Sequence, residues 1–236
     1  CAFCASTLEG CIRNLTAAEM LGEVLAVNRE LQGEGVHNIV LMGSGEPLDN
    51  YDQVVRFLRL AGHPDGLNIS PRRISLSTCG IVDKMYDLAK EKLPVTLSVS
   101  LHAPDDETRL QIMPIAKAWS MDQLMAACRN WVEETGRRIV FEYALIEGVN
   151  SETSHAKKLS QLLRGLQSHV NLIPLNDVKE RDLRGVSRKK AEAFLAELEK
   201  NHISATIRRE MGSDIQGACG QLRRRVLKLP NMEEQG

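Results

Sequence analysis

Residues 73–102 read RISLSTCGIVDKMYDLAKEKLPVTLSVSLH, a β-rich run, a helical stretch and a second β-rich run. Arg73–Thr78 and Val95–His102 carry the β-branched and aliphatic content of strands, and an amphipathic stretch near 81–91 separates them. Two strands joined through a helix imply a right-handed βαβ crossover and therefore parallel pairing. The same grammar extends in both directions. His37–Met42 (HNIVLM), Arg138–Ile146 (RIVFEYALI), His169–Asn176 (HVNLIPLN) and Ile203–Glu210 (ISATIRRE) are further strand candidates, and helices are expected near 51–61, 152–166 and 187–200. Two more helices announce their starts: Thr16 with Glu19 and Ser120 with Gln123 have capping-box spacing. After Thr16, residues Met20, Leu21, Val24, Leu25 and Leu31 fall on one helical face. No repeat or linker interrupts the pattern, so residues 1–236 read as one α/β domain.

The bulk properties suit an α/β barrel: 236 residues, 43% hydrophobic and 26% charged, with a formal net charge of −1. No run approaches the roughly 18 apolar residues of a membrane span, and no signal peptide is visible, so a cytoplasmic protein is expected. A chain opening on cysteine is expected to continue upstream. Charge is local rather than global. Arg208, Arg209, Arg223, Arg224, Arg225 and Lys228 make the C-terminal end basic, and Arg188, Lys189 and Lys190 form a second run; such runs are solvated faces or RNA contacts. Cysteines at 1, 4, 11, 79, 128 and 219 lack the spacing of a disulfide framework, which favours a reducing compartment and metal or redox roles.

Parallel α/β sheets take ligands at the C-terminal ends of their strands. Small and polar residues gather there in this sequence: Gly43-Ser-Gly-Glu-Pro47, Ser77-Thr-Cys-Gly80, Ser100-Leu-His102 and Pro174-Leu-Asn176. The glycines at 43 and 45 do not make a Rossmann fingerprint, because the third glycine is missing. Cys1-Ala-Phe-Cys4 can bind one metal centre from a loop, and its spacing leaves zinc and iron–sulfur equally open.

Taken together these segments resemble the RlmN-type RNA (adenine-C2) methyltransferases of the radical-SAM superfamily. Cys1-Ala-Phe-Cys4 looks like the end of the CxxxCxxC cluster motif, and Arg13-Asn-Leu15 is similar to the segment after it. The likeness continues through Gly43–Asn50 (GSGEPLDN), Leu76–Gly80, Ser98–Pro104 (SVSLHAP), Met113-Pro114-Ile115, Thr135–Tyr143 and Val170–Asn176, and ends in Thr206–Glu210 and Ala218–Leu222 (ACGQL). It implies a partial (βα)6 radical-SAM barrel lacking its first strand, with a C-terminal extension. It implies a [4Fe-4S] cluster on Cys1, Cys4 and an upstream cysteine, with Cys11 a bystander. S-adenosyl-L-methionine would be contacted by Gly45, Glu46, Ser77, Ser100, Leu101, His102 and Asn176. Cys219 would be the methyl-carrying cysteine, the S-methylcysteine intermediate from which a radical route reaches the electron-poor C2 of adenine. The implied partners are 23S rRNA and tRNA, plus a reducing electron donor such as flavodoxin or ferredoxin; the chain without its upstream portion is expected to be inactive.

The nearest alternative is a C8-specific rRNA adenine methyltransferase of the same superfamily. A radical-SAM protein activase is disfavoured by Cys219, for which an activase has no use. A zinc-stabilised RNA-binding module without catalysis is the alternative from another class. Read by themselves, His102 is a rim histidine, Asn176 a turn cap, Cys128 a core residue, and Cys79 a packing residue near the rim.

Overall fold

The computed structural model describes residues 1–4, 10–31, 35–175 and 183–208. Six strands, β1 (Ile39–Leu41), β2 (Ile74–Thr78), β3 (Thr96–Ser100), β4 (Ile139–Leu145), β5 (Ser168–Pro174) and β6 (Ala205–Ile207), form one sheet in the order β1-β2-β3-β4-β5-β6. Every pair is parallel. The helices are α1 (Ala17–Glu30), α2 (Tyr51–Ala61), α3 (Val82–Lys90), α4 (Asp106–Ile112), α5 (Met121–Thr135), α6 (Thr153–Leu162) and α7 (Arg188–Lys200). The parallel α/β architecture is the one expected from the sequence, with each strand candidate present and β5 beginning one residue earlier than expected, at Ser168. Among the described residues no helix is long and apolar enough to cross a membrane.

Strand order equal to chain order has a physical consequence. Right-handed crossovers that never reverse direction all pass over the same face of the sheet. On that face Leu76, Leu97, Val99, Phe141, Tyr143, Val170 and Leu172 share one core with Met85 and Leu88 of α3, Leu124 and Trp131 of α5, and Phe194 of α7. Side chains alternate along a strand. Ser75, Ser77, Ser98, Ser100, Glu142, His169, Asn171 and Thr206 are therefore turned to the opposite, inner face.

Both capping boxes form. Thr16 Oγ1 accepts from Glu19 N (3.2 Å) while Thr16 N donates to Glu19 Oε2 (2.8 Å); Ser120 and Gln123 repeat the exchange at 3.3 and 2.9 Å. Arg13 also grips Glu19 through both terminal nitrogens, at 2.9 and 2.6 Å. The Arg13 guanidinium and the Thr16 donors hold the Glu19 carboxyl down at about 2.

Two expectations need correction. On α1, Val24 is buried and Met20 and Leu21 are partly so, but Leu25 and Leu31 are 46% and 40% exposed. This helix rests chiefly on α2, and one neighbour covers a narrower stripe than the periodicity offers. The second is α4, which was not expected. Seven residues carry too little apolar period to register, although Asp105 caps it conspicuously, accepting from Thr108 N at 2.9 Å.

Replacing Ser120 by alanine removes half of one capping box and is expected to lower unfolding stability by about 1 kcal/mol. Urea denaturation should show a shifted midpoint with an unchanged slope; an unmoved midpoint would mean that the α5 start is held by packing alone.

Candidate functional site

The turn after β1 passes through Ser44 (φ 46°) and Gly45 (φ 144°) before Glu46 starts a 3-10 turn over Pro47–Asn50. The Gly45 angle lies outside the range of ordinary side chains, and a Cβ built at Gly43 or Gly45 would meet nothing within 4 Å. The backbone is thus both permissive and open to a ligand. Glu46 is held between two strand ends: Oε1 accepts from Leu48 N at 3.0 Å and Oε2 from Cys79 N, just past β2, at 2.7 Å. Each oxygen keeps a further lone pair. Burial, with the Glu46 carboxylate adding, pushes the Cys79 thiol up to about 12. Cys79 therefore sits protonated against Glu46 and is no thiolate.

Beneath this rim lies Arg109 of α4, with no solvent exposure. Its partners are carbonyls: Nη2 donates to Cys79 O at 2.7 Å and Ser100 O at 3.3 Å, and Nε to Leu101 O at 3.2 Å. One guanidinium thereby ties the ends of β2 and β3, while its buried Nη1 has no hydrogen-bond partner.

His102 follows in the left-handed region (φ 55°). Its Nδ1 accepts from Ala144 N at 2.9 Å, which places the ring proton on Nε2. Asn150 completes the staple between β3 and β4. Its amide donates to His102 O (2.7 Å) and Ala144 O (2.6 Å), and its oxygen accepts from Ile146 N (2.7 Å). Burial, reinforced by the Arg109 charge, lowers the His102 pKa to about 3.

The Cys1–Cys4 turn, closed by Cys4 N to Cys1 O at 3.1 Å, docks on this same rim. Ala2 N donates to Ile112 O at 2.8 Å, and the Phe3 ring meets His102 edge-on with centroids 5.0 Å apart. Cys1, Phe3 and Cys79 pack with Ile112, Met113 and Ile146 in a small cluster separate from the main core.

The structure therefore brings Cys1, Cys4, Gly45, Glu46, Ser100 and His102 to one rim, with Ser77 on the inner face of β2. Leu101 joins only through its backbone: its side chain is fully buried, and its N–H donates to Glu142 O at 3.1 Å. Asn176 and Cys219 lie outside the described residues, as do Arg209, Arg223, Arg224, Arg225 and Lys228. Cys11 is exposed, and Cys128 is buried in the core as expected. Among the described residues no three His, Cys, Asp or Glu side chains are grouped to hold a metal ion. In the basic run at 188–190, Lys190 is engaged by Glu147 and Glu152 at 2.8 and 2.7 Å, and Arg188 by Glu192 at 2.9 Å. Sequence reasoning missed Arg109 and Asn150. The available signal was a polar side chain a few residues past each strand end, where the last carbonyls need donors.

Arg109→Met should leave three rim carbonyls without their donor and cost roughly 3 kcal/mol, read as a lowered melting temperature. His102 gives a pH signature. Its folded pKa of about 3 lies below the ordinary 6.5, so the unfolded chain binds the extra proton between those values. Its contribution is complete above pH 6.5 and is lost as pH falls toward 3, at up to about 1.4 kcal/mol per pH unit. His102→Gln should flatten that part of the stability profile; parallel profiles for both proteins would count against a neutral, buried ring.

The sequence pattern of the Radical SAM superfamily matches residues 1–159. A probable dual-specificity RNA methyltransferase RlmN of Clostridium perfringens (strain 13 / Type A) is 54% identical over 233 residues, covering 99% of this chain and 67% of that protein. Its counterpart in Lachnoclostridium phytofermentans is 54% identical over 224 residues, covering 95% of this chain and 63% of that protein. The chain thus spans about two thirds of the length of these relatives. Among solved structures, a radical SAM methyltransferase from Sphaerobacter thermophilus superposes with a TM-score of 0.91 at 44% identity, over 94% of this chain and 65% of that one.

Proposed function

Because the chain belongs to the radical SAM superfamily and, within it, to the RlmN methyltransferases, we propose that it methylates C2 of adenine in 23S rRNA and in tRNA. The observation that carries this reading is the 54% identity sustained over 99% of the chain with a relative bearing that name. The rim geometry supports it. When bound, a [4Fe-4S] cluster and S-adenosylmethionine supply radical chemistry suited to a carbon too electron-poor for ordinary methyl transfer.

The chain's own residues have separable tasks. Cys1 and Cys4 offer two sulfur donors from one turn, which fits two corners of a cluster; among the described residues no third His, Cys, Asp or Glu is grouped with them. Phe3 against His102 holds that turn to the strand ends. Glu46, oriented by the Leu48 and Cys79 amides, presents its remaining lone pairs to the ammonium of the cofactor's methionine end, and Gly43 and Gly45 leave room for it. Ser77 and Ser100 supply hydroxyls on the inner face, and Asn176 a further polar contact. Cys219 accepts a methyl group and passes its carbon to the base as S-methylcysteine. The adenine has to arrive unstacked or flipped from its RNA, with phosphates met by Arg208, Arg209 and the Arg223–Arg225 run. A reducing protein such as flavodoxin or ferredoxin supplies electrons, in the cytoplasm.

The test is anaerobic iron–sulfide reconstitution of the protein at its relatives' full length, followed by dithionite, S-adenosylmethionine and unmethylated RNA. The expected products are 5′-deoxyadenosine and 2-methyladenosine, and Cys219→Ala should abolish the second. Accumulation of 8-methyladenosine would move the protein to the C8 enzymes, and a colourless zinc protein leaving adenine unmodified would overturn the reading.

A further inference from the structure

The inner face of the sheet carries a carboxylate that the proposed function does not use. Glu142 lies in β4 between Phe141 and Tyr143, whose rings belong to the helix-side core. Alternation turns Glu142 to the inner face. Register sets it beside Ser100 of β3 and Asn171 of β5, and Asn171 beside Thr206 of β6. The backbone N–H groups of Leu101 and His102 both donate to Glu142 O, at 3.1 and 3.3 Å. Glu142 therefore lies at the level of the rim, only 3% exposed.

Its two carboxylate oxygens are in different situations. Oε1 accepts from Asn171 Nδ2 at 3.0 Å. Oε2 is buried and has no hydrogen-bond partner. The carboxylate is also the end point of a chain of donors. Thr206 Oγ1 donates to Asn171 Oδ1 at 3.3 Å. The Thr206 oxygen also meets His169 Nε2 at 3.0 Å, and His169 Nδ1 lies 2.8 Å from Ser204 Oγ. Because Thr206 occupies the Asn171 oxygen, the Asn171 amide must turn its N–H toward Glu142. The network thereby orients the carboxylate with one oxygen satisfied and the other waiting for a donor. Burial raises the Glu142 pKa, the expected consequence of an acceptor short of partners.

A single unpaired acceptor beside a serine hydroxyl does not suit an exocyclic amino group, whose two N–H donors ask for two acceptors. It does suit a vicinal diol, one hydroxyl donating to Oε2 and the other pairing with Ser100. We propose that Glu142 is a binding residue for the ribose of a nucleoside held on the inner face, accepting a hydrogen bond from a ribose hydroxyl through Oε2. The inference rests on the reading above, that this face takes a nucleoside. Two nucleosides share the chemistry: the adenosyl group of the cofactor and the target nucleotide of the RNA.

The discriminating variant is Glu142→Gln. With Asn171 still donating to the oxygen, the new amide must place its NH2 where Oε2 was, donor against donor. Equilibrium dialysis of the reconstituted full-length protein would measure S-adenosylhomocysteine, its 2′-deoxy and 3′-deoxy analogues, and RNA carrying adenosine or 2′-deoxyadenosine at the target position. For a cofactor contact, Glu142→Gln should weaken S-adenosylhomocysteine about tenfold or more. One deoxy analogue should bind wild type equally weakly and lose nothing further in the variant. The same pattern confined to the RNA pair would place the contact on the target nucleotide. The analogue series on wild type alone carries the test if the variant misfolds. Undiminished binding of every deoxy ligand by wild type would overturn the proposal and leave Oε2 to a buried water. Failure of wild type to bind S-adenosylhomocysteine or RNA at all would overturn the methyltransferase reading, a distinct result.

Discussion

Six parallel strands laid down in chain order constrain everything else in this structure. Because no connection reverses, the helices must share one face, and most of the large apolar side chains of the strands are drawn to it. The other face receives no helix from this arrangement and is free to be polar. The alternation in ISLST and TLSVS shows the division at its plainest: Leu76, Leu97 and Val99 go to the core, while Ser75, Ser77, Ser98 and Ser100 go inward. Strand β4 is buried along its whole length, and among its inward residues, Val140, Glu142 and Ala144, Glu142 is the charged one.

Such a sheet also creates a problem at its C-terminal rim, where the last carbonyls have no ladder partner and sit beneath loops that exclude water. The chain answers with donors brought back from the connections that follow β3 and β4. Arg109, in the connection after β3, holds three carbonyls. Asn150, in the connection after β4, joins the strand ends through His102 and Ala144. A buried guanidinium without a carboxylate partner is costly, and converging carbonyl dipoles are what offset it here. The same ties hold the left-handed His102, and through Phe3 they reach the Cys1–Cys4 turn. The rim is therefore tied by polar side chains behind the site, with Glu46 and His102 adding ties of their own.

This explains what could be read from the sequence and what could not. Periodicity and caps reported the strands and all the long helices, because burial against a single face imposes a regular pattern. The rim glycines, Glu46 and Ser100 were legible because small and polar residues at strand ends have few structural reasons to be there. Arg109 was hidden because α4 is short and one arginine in DDETRLQI looks solvated until α4 is packed under β2 and β3. Asn150 resembled an ordinary loop residue. Glu142 was visible as the one acidic residue in RIVFEYALI, but only the register reveals that its neighbours are Ser100 and Asn171. Exposure of Leu25 and Leu31 reflects the opposite limit: periodicity states which residues could be buried, and the number of neighbouring elements decides how many are.

The distribution of charge on the two sides of the rim bears on the kind of ligand it accepts. The cation, Arg109, lies behind the strand ends with its Nε and Nη2 donors committed to carbonyls. The inward side presents the carboxylates of Glu46 and Glu142 with serine hydroxyls between them, and Arg208 only just beyond β6. Phosphate placed there would meet acceptors and negative charge. An ammonium group or a sugar hydroxyl would meet partners of the right polarity. The inner face is therefore complementary to donor groups such as an ammonium or a sugar hydroxyl. Recognition of a polyanion has to occur outside this face, and the basic residues that could perform it are concentrated at the C-terminal end of the sequence.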